Sequence, residues 1–169
     1  GAGERCSQLI RRMLGVARQP HARPEHVEVG SVVRSVCSQA RGVLGGVEVA
    51  QCSPPGLWAD VDQAALESML LNLLINARDA NARRIEVQVS GGDRVVLSVT
   101  DDGDGMTEEV RRHCVRPLFT TKGERGTGLG LFGAARLADS VGGCLRVAST
   151  LGAGTTITLE FPCQSESSV

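Results

Sequence analysis

The segment Asn72-Leu-Leu-Ile-Asn76-Ala-Arg-Asp79-Ala-Asn81 places two carboxamides and a carboxylate on one side of an otherwise leucine-rich helix. At about 100° per residue, positions 72, 76 and 79 fall within a narrow arc. A buried amide needs partners for all its donors and acceptors, so Asn is unusual beside a buried leucine face. The segment alone indicates either a polar stripe turned to solvent or a binding surface.

Composition restricts the classes of protein. With 169 residues, 41% of them hydrophobic, the chain suits one globular domain with a sizeable core. The net charge of -1 argues against a nucleic-acid binder or a membrane-surface protein. The cysteines form no C-x-x-C pair, which favours reduced thiols over disulfides or a zinc site. With neither a signal peptide nor a bilayer-length apolar run, a cytoplasmic domain without direct membrane contact is expected.

Hydrophobic periodicity predicts an α/β sandwich with a mixed sheet. The long helix has a capping-box signature, Asp60 with Gln63 three residues on, and is predicted to run to about Asn81. Gly91-Gly92-Asp93 predicts a hairpin. The other predicted helices are 4–18, 31–44 and 129–141, and the predicted strands are 27–29, 47–51, 85–89, 94–100, 145–148 and 155–161.

An acidic, glycine-containing turn, Asp101-Asp-Gly103-Asp-Gly105, follows directly after a predicted strand. A D-x-G-x-G turn lets the chain approach a flat ligand while the carboxylate accepts a hydrogen bond, for which an adenine amine is a suitable donor. The alternatives are an ordinary acidic turn and a calcium loop. The calcium loop is disfavoured because its closing glutamate is missing.

A glycine-rich segment, Gly126-Thr-Gly128-Leu-Gly130-Leu131, leads into a predicted helix, whose first N–H groups suit a phosphate. It is similar to a dinucleotide fingerprint, but no strand runs into it, and it lacks the Gly-Lys-Ser/Thr of a P-loop. Phe119-Thr-Thr121-Lys122 precedes it and contains the only lysine of the chain. Gly152-Ala-Gly-Thr155 alone reads as an ordinary turn.

Together these four segments, in this order, resemble the N, G1, F/G2 and G3 boxes of the Bergerat-fold (GHKL) ATP-binding domain. The NLLxNARDA, FTTK and GTGLGL motifs are similar to those of nitrogen-regulation-type sensor histidine kinases. The resemblance implies a two-layer α/β sandwich, with a mixed, mostly antiparallel sheet under three helices. It assigns residues 1–19 to the end of a dimerisation-domain helix, 20–26 to a linker, 27–162 to the catalytic domain and 163–169 to a tail.

The resemblance also implies ATP and Mg²⁺ as ligands. Asn76 would bind Mg²⁺ through its side-chain oxygen, Asp101 would accept from the adenine amine, and Lys122 would pair with the terminal phosphate. Thr155 would support the adenine end, and residues 106–127 would form a mobile lid. Gly103 and Gly105 would line the base pocket, with Met106 at its edge, and Gly126, Gly128 and Gly130 would wrap the triphosphate. The remaining predicted ATP-site residues are Asn72, Asp79, Thr121, Thr127, Leu129 and Leu131.

Asn72 distinguishes between branches of that superfamily. In its gyrase, chaperone and mismatch-repair members the equivalent residue is a glutamate that activates water, whereas an amide cannot act as a general base. The resemblance therefore implies phosphoryl transfer to a histidine on a dimerisation domain, with Asn72 and Lys122 as catalytic residues and a response-regulator receiver as a further partner. The alternatives are a non-kinase ATP-binding regulator or phosphotransfer protein and a stand-alone hydrolase.

Two features depart from the family pattern. None of His21, His26 and His113 precedes Glu or Asp, so the phosphoacceptor is expected to lie outside this chain. Val115-Arg-Pro-Leu118 stands where the family commonly has Phe-Glu-Pro-Phe. This second departure affects the lid and not the predicted phosphate or adenine positions.

Overall fold

The computed structural model describes residues 24–121, 123 and 128–162. The predicted helix at 4–18 and the predicted tail lie outside the described residues. In chain order, the elements are β1 (Glu25–Glu28), α1 (Val29–Ala40), β2 (Glu48–Cys52), β3 (Trp58–Val61), α2 (Gln63–Asp79), β4 (Arg84–Ser90), β5 (Arg94–Asp101), α3 (Glu108–His113), α4 (Gly130–Ser140), β6 (Cys144–Thr150) and β7 (Gly154–Pro162).

The main sheet has five strands in the order β2-β4-β5-β7-β6. β2 pairs with β4 in parallel, and every other neighbour in this sheet is antiparallel. β1 and β3 form a separate antiparallel pair. The predicted mixed, mostly antiparallel sheet is therefore confirmed, as is the hairpin between β4 and β5.

The core lies between one face of this sheet and the helices α1, α2 and α4. Alternate residues of β4, β5 and β7 are buried, whereas their neighbours in sequence are mostly polar and more exposed. This period of two leaves the opposite face without a covering layer among the described residues. The fully buried side chains include Leu66, Leu70, Leu74, Ile85, Leu97, Leu159 and Phe161.

The capping box predicted at Asp60 is wrong. Asp60 lies in β3, opposite His26 of β1, and Asp62 caps α2 by accepting a hydrogen bond from Ala65 N at 2.7 Å. Ala59 and Val61 are buried with exposed fractions of 1% and 0%. Burial of these alternate side chains holds the segment as a strand, so the helix begins two residues later than predicted.

The other element boundaries differ from the prediction by a few residues. β1 ends at Glu28, and Val29, predicted as the end of the strand, begins α1. The short helix α3 was not predicted. Thr107 caps it by accepting from Val110 N at 3.2 Å, and Glu108 binds Arg111 and Arg112 one turn on. Capping and local ion pairs therefore define a helix too short for a periodic signal.

Candidate functional site

The polar residues of α2 lie beside its buried leucine stripe. Asn76 is half-buried, and Asn72 and Asp79 are exposed. Asp79 accepts from the Arg78 guanidinium, which also donates to the Val43 carbonyl at 2.8 Å. The predicted stripe thus faces the accessible side of the helix, with Asp79 in a local ion pair at its C-terminal end.

Asp101 ends β5 with its carboxylate held by the backbone. Its Oδ1 atom accepts from Gly103 N at 2.9 Å. Burial raises the pKa of Asp101, and the backbone N–H groups of Gly103 and Thr155 oppose that shift. The result is a half-buried acceptor in a fixed position, as binding to an amine requires.

The acidic turn packs against the C-terminal end of α2. A Cβ atom on Gly103 would lie 2.5 Å from the Ala80 carbonyl oxygen, so only glycine fits. Asp104 N donates to that same oxygen at 2.7 Å, and Asn81 Nδ2 donates to Asp104 Oδ2 at 2.6 Å. These contacts join the Asn72–Asn81 segment to the acidic turn at Asp101–Gly105.

The turn between β6 and β7 closes against the other side of the acidic turn. Gly154 has φ +92°, and a Cβ atom there would collide with the Asp101 carbonyl. Gly105 has φ +65°, and its Cβ would collide with the Thr150 carbonyl. Gly152 N donates to Asp104 O at 2.7 Å. This segment, ordinary as a sequence, is a close backbone junction in the fold.

The glycine-rich segment contacts both Leu118, in the predicted lid, and α2. Leu118 N donates to Gly128 O at 3.1 Å, and a Cβ on Gly128, at φ +62°, would collide with the Leu118 backbone. Gly130 begins α4, and its Cβ would lie 3.3 Å from Asn76 Nδ2. Among the residues that the structure describes, no side chain caps α4 by a hydrogen bond. Its N-terminus therefore offers backbone N–H groups to an anion close to Asn76.

The described part of the predicted lid, residues 106–127, contains α3 and the residues on either side of it. Arg111 and Arg112 lower the pKa of Glu108 to about 2. Arg116 and Leu118 are exposed, and Leu118 has φ +64°. Of the other predicted ATP-site residues, Thr121 is exposed and Met106, Leu129 and Leu131 are half-buried. Lys122, Gly126 and Thr127 lie outside the described residues.

Ser149 contacts two of the predicted site residues, and the sequence prediction did not include it. It accepts from Met106 N at 2.8 Å and lies 2.8 Å from Thr155 Oγ1. Nothing in the local sequence of β6 marks this serine. The only available signal was its position opposite Thr155 across the predicted hairpin.

The site offers few ligands for a metal ion. Within residues 24–121, 123 and 128–162, no three His, Cys, Asp or Glu side chains cluster to hold a metal. Asn76 contributes an amide group beside the α4 N-terminus. Such a site suits Mg²⁺, which keeps several waters and takes further ligands from phosphates.

The fold is thus a two-layer α/β sandwich in which the four glycine- and amide-containing motifs meet. The family described as histidine kinase-, DNA gyrase B-, and HSP90-like ATPase matches residues 61–165. The chain belongs to this family.

Relatives and solved structures agree with that assignment. The chain is 30% identical over 163 residues to the signal transduction histidine-protein kinase AtoS of Escherichia coli (strain K12), covering 92% of this chain and 27% of AtoS. It is 32% identical over 167 residues to the C4-dicarboxylate transport sensor protein DctB of Pseudomonas aeruginosa, covering 93% of this chain and 27% of DctB. The chain thus spans about a quarter of each of these two relatives.

Two solved structures share the fold. Full-length ShkA, in complex with AMPPNP, superposes with a TM-score of 0.80 at 26% identity, covering 99% of this chain and 38% of ShkA. The mycobacterial sensor histidine kinase MprB gives a TM-score of 0.73 at 25% identity, covering 83% of this chain and 98% of that structure. Among the described residues, none of the helices combines the length and apolar character needed to cross a membrane.

Proposed function

We propose that this chain is the ATP-binding catalytic domain of a two-component sensor histidine kinase. The observation that carries the proposal is that the four motifs meet: Gly103 lies against Ala80, Gly154 against Asp101, and Gly130 against Asn76. Relatives named as sensor histidine kinases support the same conclusion. In the full-length protein, the domain would act on a homodimer's histidine-bearing domain, and a receiver domain would take the phosphoryl group onward, on the cytoplasmic side.

In this mechanism the protein positions the nucleotide. Asp101 accepts a hydrogen bond from the adenine amine, with Gly103 and Gly105 leaving room for the base. The α4 N-terminus and Gly128 bind the phosphates through backbone N–H groups. The solved structure of full-length ShkA, which shares the fold, is a complex with AMPPNP and supports nucleotide binding. Lys122 adds positive charge for the terminal phosphate.

Asn76 is the residue proposed to hold Mg²⁺, which would neutralise phosphate charge during transfer. Asn72 lies one helical turn before it and is exposed. The Asn72 amide can orient a reacting group by hydrogen bonding, but it cannot remove a proton from that group. This favours transfer to a histidine over hydrolysis by an activated water.

The test is autophosphorylation of a chain extended upstream by a dimerisation domain with a His-Glu or His-Asp acceptor. Incubation with γ-labelled Mg-ATP is expected to give acid-labile, base-stable phosphate. Replacing the acceptor His by Gln is the control and removes the label. ATP binding without phosphohistidine would instead favour the non-kinase regulator, and steady ADP release without an acceptor would favour the hydrolase.

The metal assignment has its own test. Asn76→Ala is expected to abolish the Mg²⁺ dependence of ATP affinity measured by calorimetry, since the amide oxygen is lost. Ser68→Ala, on an exposed position two turns earlier in α2, is the matched control. An unchanged response to Mg²⁺ in Asn76→Ala would overturn the assignment.

A further inference from the structure

Asp101, Thr155 and Ser149 form one row across three neighbouring strands. Thr155 of β7 is in register with Asp101 of β5 on one side and with Ser149 of β6 on the other. All three lie on the helix-facing side of the sheet, because each is two positions from a core-facing residue of its own strand. These residues are Val99 and Ile157, which are buried, and Val147, which is partly buried against the core. Cross-strand partners have Cβ atoms about 5 Å apart, so each residue of the row contacts the next.

The hydrogen-bond donors in this row can be assigned by counting. Ser149 Oγ lies 3.0 Å from Gly154 O, 2.8 Å from Met106 N and 2.8 Å from Thr155 Oγ1. A carbonyl only accepts and a backbone N–H only donates. The single Ser149 proton therefore goes to Gly154 O, and the Thr155 hydroxyl donates to Ser149.

This arrangement decides what Thr155 offers to a ligand. Thr155 is 8% exposed, and with its proton committed to Ser149 its hydroxyl presents only lone pairs. Asp101, its neighbour in the row, is also an acceptor. The row therefore matches a purine edge that carries an amine and repels one that carries a carbonyl at the same position.

We propose that Ser149 is a positioning residue for nucleobase selection: it fixes the Thr155 hydroxyl as an acceptor and so sets the preference for a 6-amino over a 6-oxo purine. This rests on the proposed ATP-binding function. The same serine accepts from Met106 N, the first residue of the predicted lid, and thus ties the base pocket to the lid.

The test compares Mg-ATP with Mg-ITP, whose base has a carbonyl in place of the 6-amine and no added amine elsewhere. In Ser149→Ala the Thr155 hydroxyl is released and turns to donate to the carbonyl. The ratio of dissociation constants, ITP over ATP, is expected to fall about tenfold by calorimetry. Ser149→Thr keeps the hydroxyl on a residue suited to a strand and is expected to restore the ratio.

Thr156→Ala is the matched control, because Thr156 is next in β7, points to the other face and pairs with Thr100 Oγ1 at 3.1 Å. Its ratio is expected to match that of the unsubstituted protein. Equal losses of ATP and ITP affinity in Ser149→Ala, with the ratio unchanged, would show a structural role only and overturn the inference. Failure of the unsubstituted protein to bind ATP would overturn the proposed function instead.

Discussion

Gly130 lies directly against Asn76: a Cβ atom on this glycine would stand 3.3 Å from Asn76 Nδ2 and 3.9 Å from Asn72 Cβ. The first residue of α4 and the last turn of α2 are therefore in contact. One side of this contact supplies helix N–H groups and the other an amide oxygen. Helix N–H groups suit the phosphates of a magnesium-bound triphosphate, and an amide oxygen suits its metal ion.

Gly130→Ala should perturb the metal ligand and leave the fold intact. The added methyl group requires the Asn76 amide to shift by a few tenths of an ångström, so Mg²⁺-dependent ATP affinity is expected to fall roughly fivefold by calorimetry. Gly133→Ala is the matched control in the same helix, since its Cβ meets nothing within 4 Å. That variant is expected to stabilise the domain by about 0.5–1 kcal/mol with ATP affinity unchanged. Equal affinities in the two variants would contradict the assigned contact.

Asp101→Asn should separate binding from stability. The amide lacks the charge that strengthens the bond to the adenine amine, so ATP affinity is expected to fall about 100-fold. Because burial raises the pKa of Asp101, ionisation of this carboxyl opposes folding, and the associated stability is lost as the pH rises through its folded-state pKa. The ligand-free variant is therefore expected to melt at a higher temperature than the parent at pH 7. A lower melting temperature would contradict this account.

The same pKa shift affects binding by the unsubstituted protein. Only the ionised carboxyl has full acceptor strength toward the amine, so protonation of Asp101 weakens ATP binding. Affinity is expected to begin falling at a higher pH than an ordinary aspartate would give. Titration of ATP affinity from pH 7 downward checks the direction, and the Asp101→Asn variant should lack this component.

Two glycines of one turn separate backbone strain from steric collision. Gly152 and Gly154 both have positive φ, but only a Cβ on Gly154 would meet the Asp101 carbonyl. Gly152→Ala is expected to cost about 1 kcal/mol of unfolding free energy. Gly154→Ala is expected to cost about 2–4 kcal/mol and to weaken ATP binding, because Asp101 must move. Urea denaturation measures the unfolding free energies, and calorimetry measures ATP affinity. Similar losses of unfolding free energy in the two variants would show that the structure relaxes around the Gly154 methyl group without a penalty.

Cys37 should make the domain sensitive to alkaline pH. Burial raises the pKa of its thiol from 9.0 to about 11, so its contribution to stability is complete below pH 9 and is lost as the pH rises through about 11. Cys37→Ala is expected to make the unfolding free energy depend less on pH across this window. The variant also loses packing contacts of the buried thiol, which lowers its stability at every pH. Cys52→Ala, which removes an exposed thiol, is the control for loss of a cysteine.

The sequence predicted the main sheet and the large helices from hydrophobic periodicity, and the family from the resemblance of four motifs in one order. The segments that contain Asn76, Asp101 and the glycines each have an ordinary interpretation when taken alone. The sequence did not predict which residues of one motif contact which residues of another. The contact between Gly130 of α4 and Asn76 of α2 joins residues that lie 130 − 76 = 54 positions apart in the sequence.

The missed features depend on tertiary partners. Asp62, and not Asp60, caps α2 because β1 recruits Trp58–Val61 into a short strand. A four-residue strand is too short to show a reliable alternation. Ser149 was missed because its importance comes from Met106 and Thr155, which only the folded chain brings beside it.

The pairing of Asp101 with Thr155 also governs when the site can form. The two residues are neighbours in the sheet but lie 155 − 101 = 54 positions apart, with the lid and α4 between them. A contact of such long sequence separation forms late, because a large loop must close first. During synthesis, the proposed base pocket stays incomplete until β7 leaves the ribosome, so nucleotide cannot assist the folding of earlier segments. The predicted lid lies within this loop, so a change in its length would add little to the entropic cost of closing the loop.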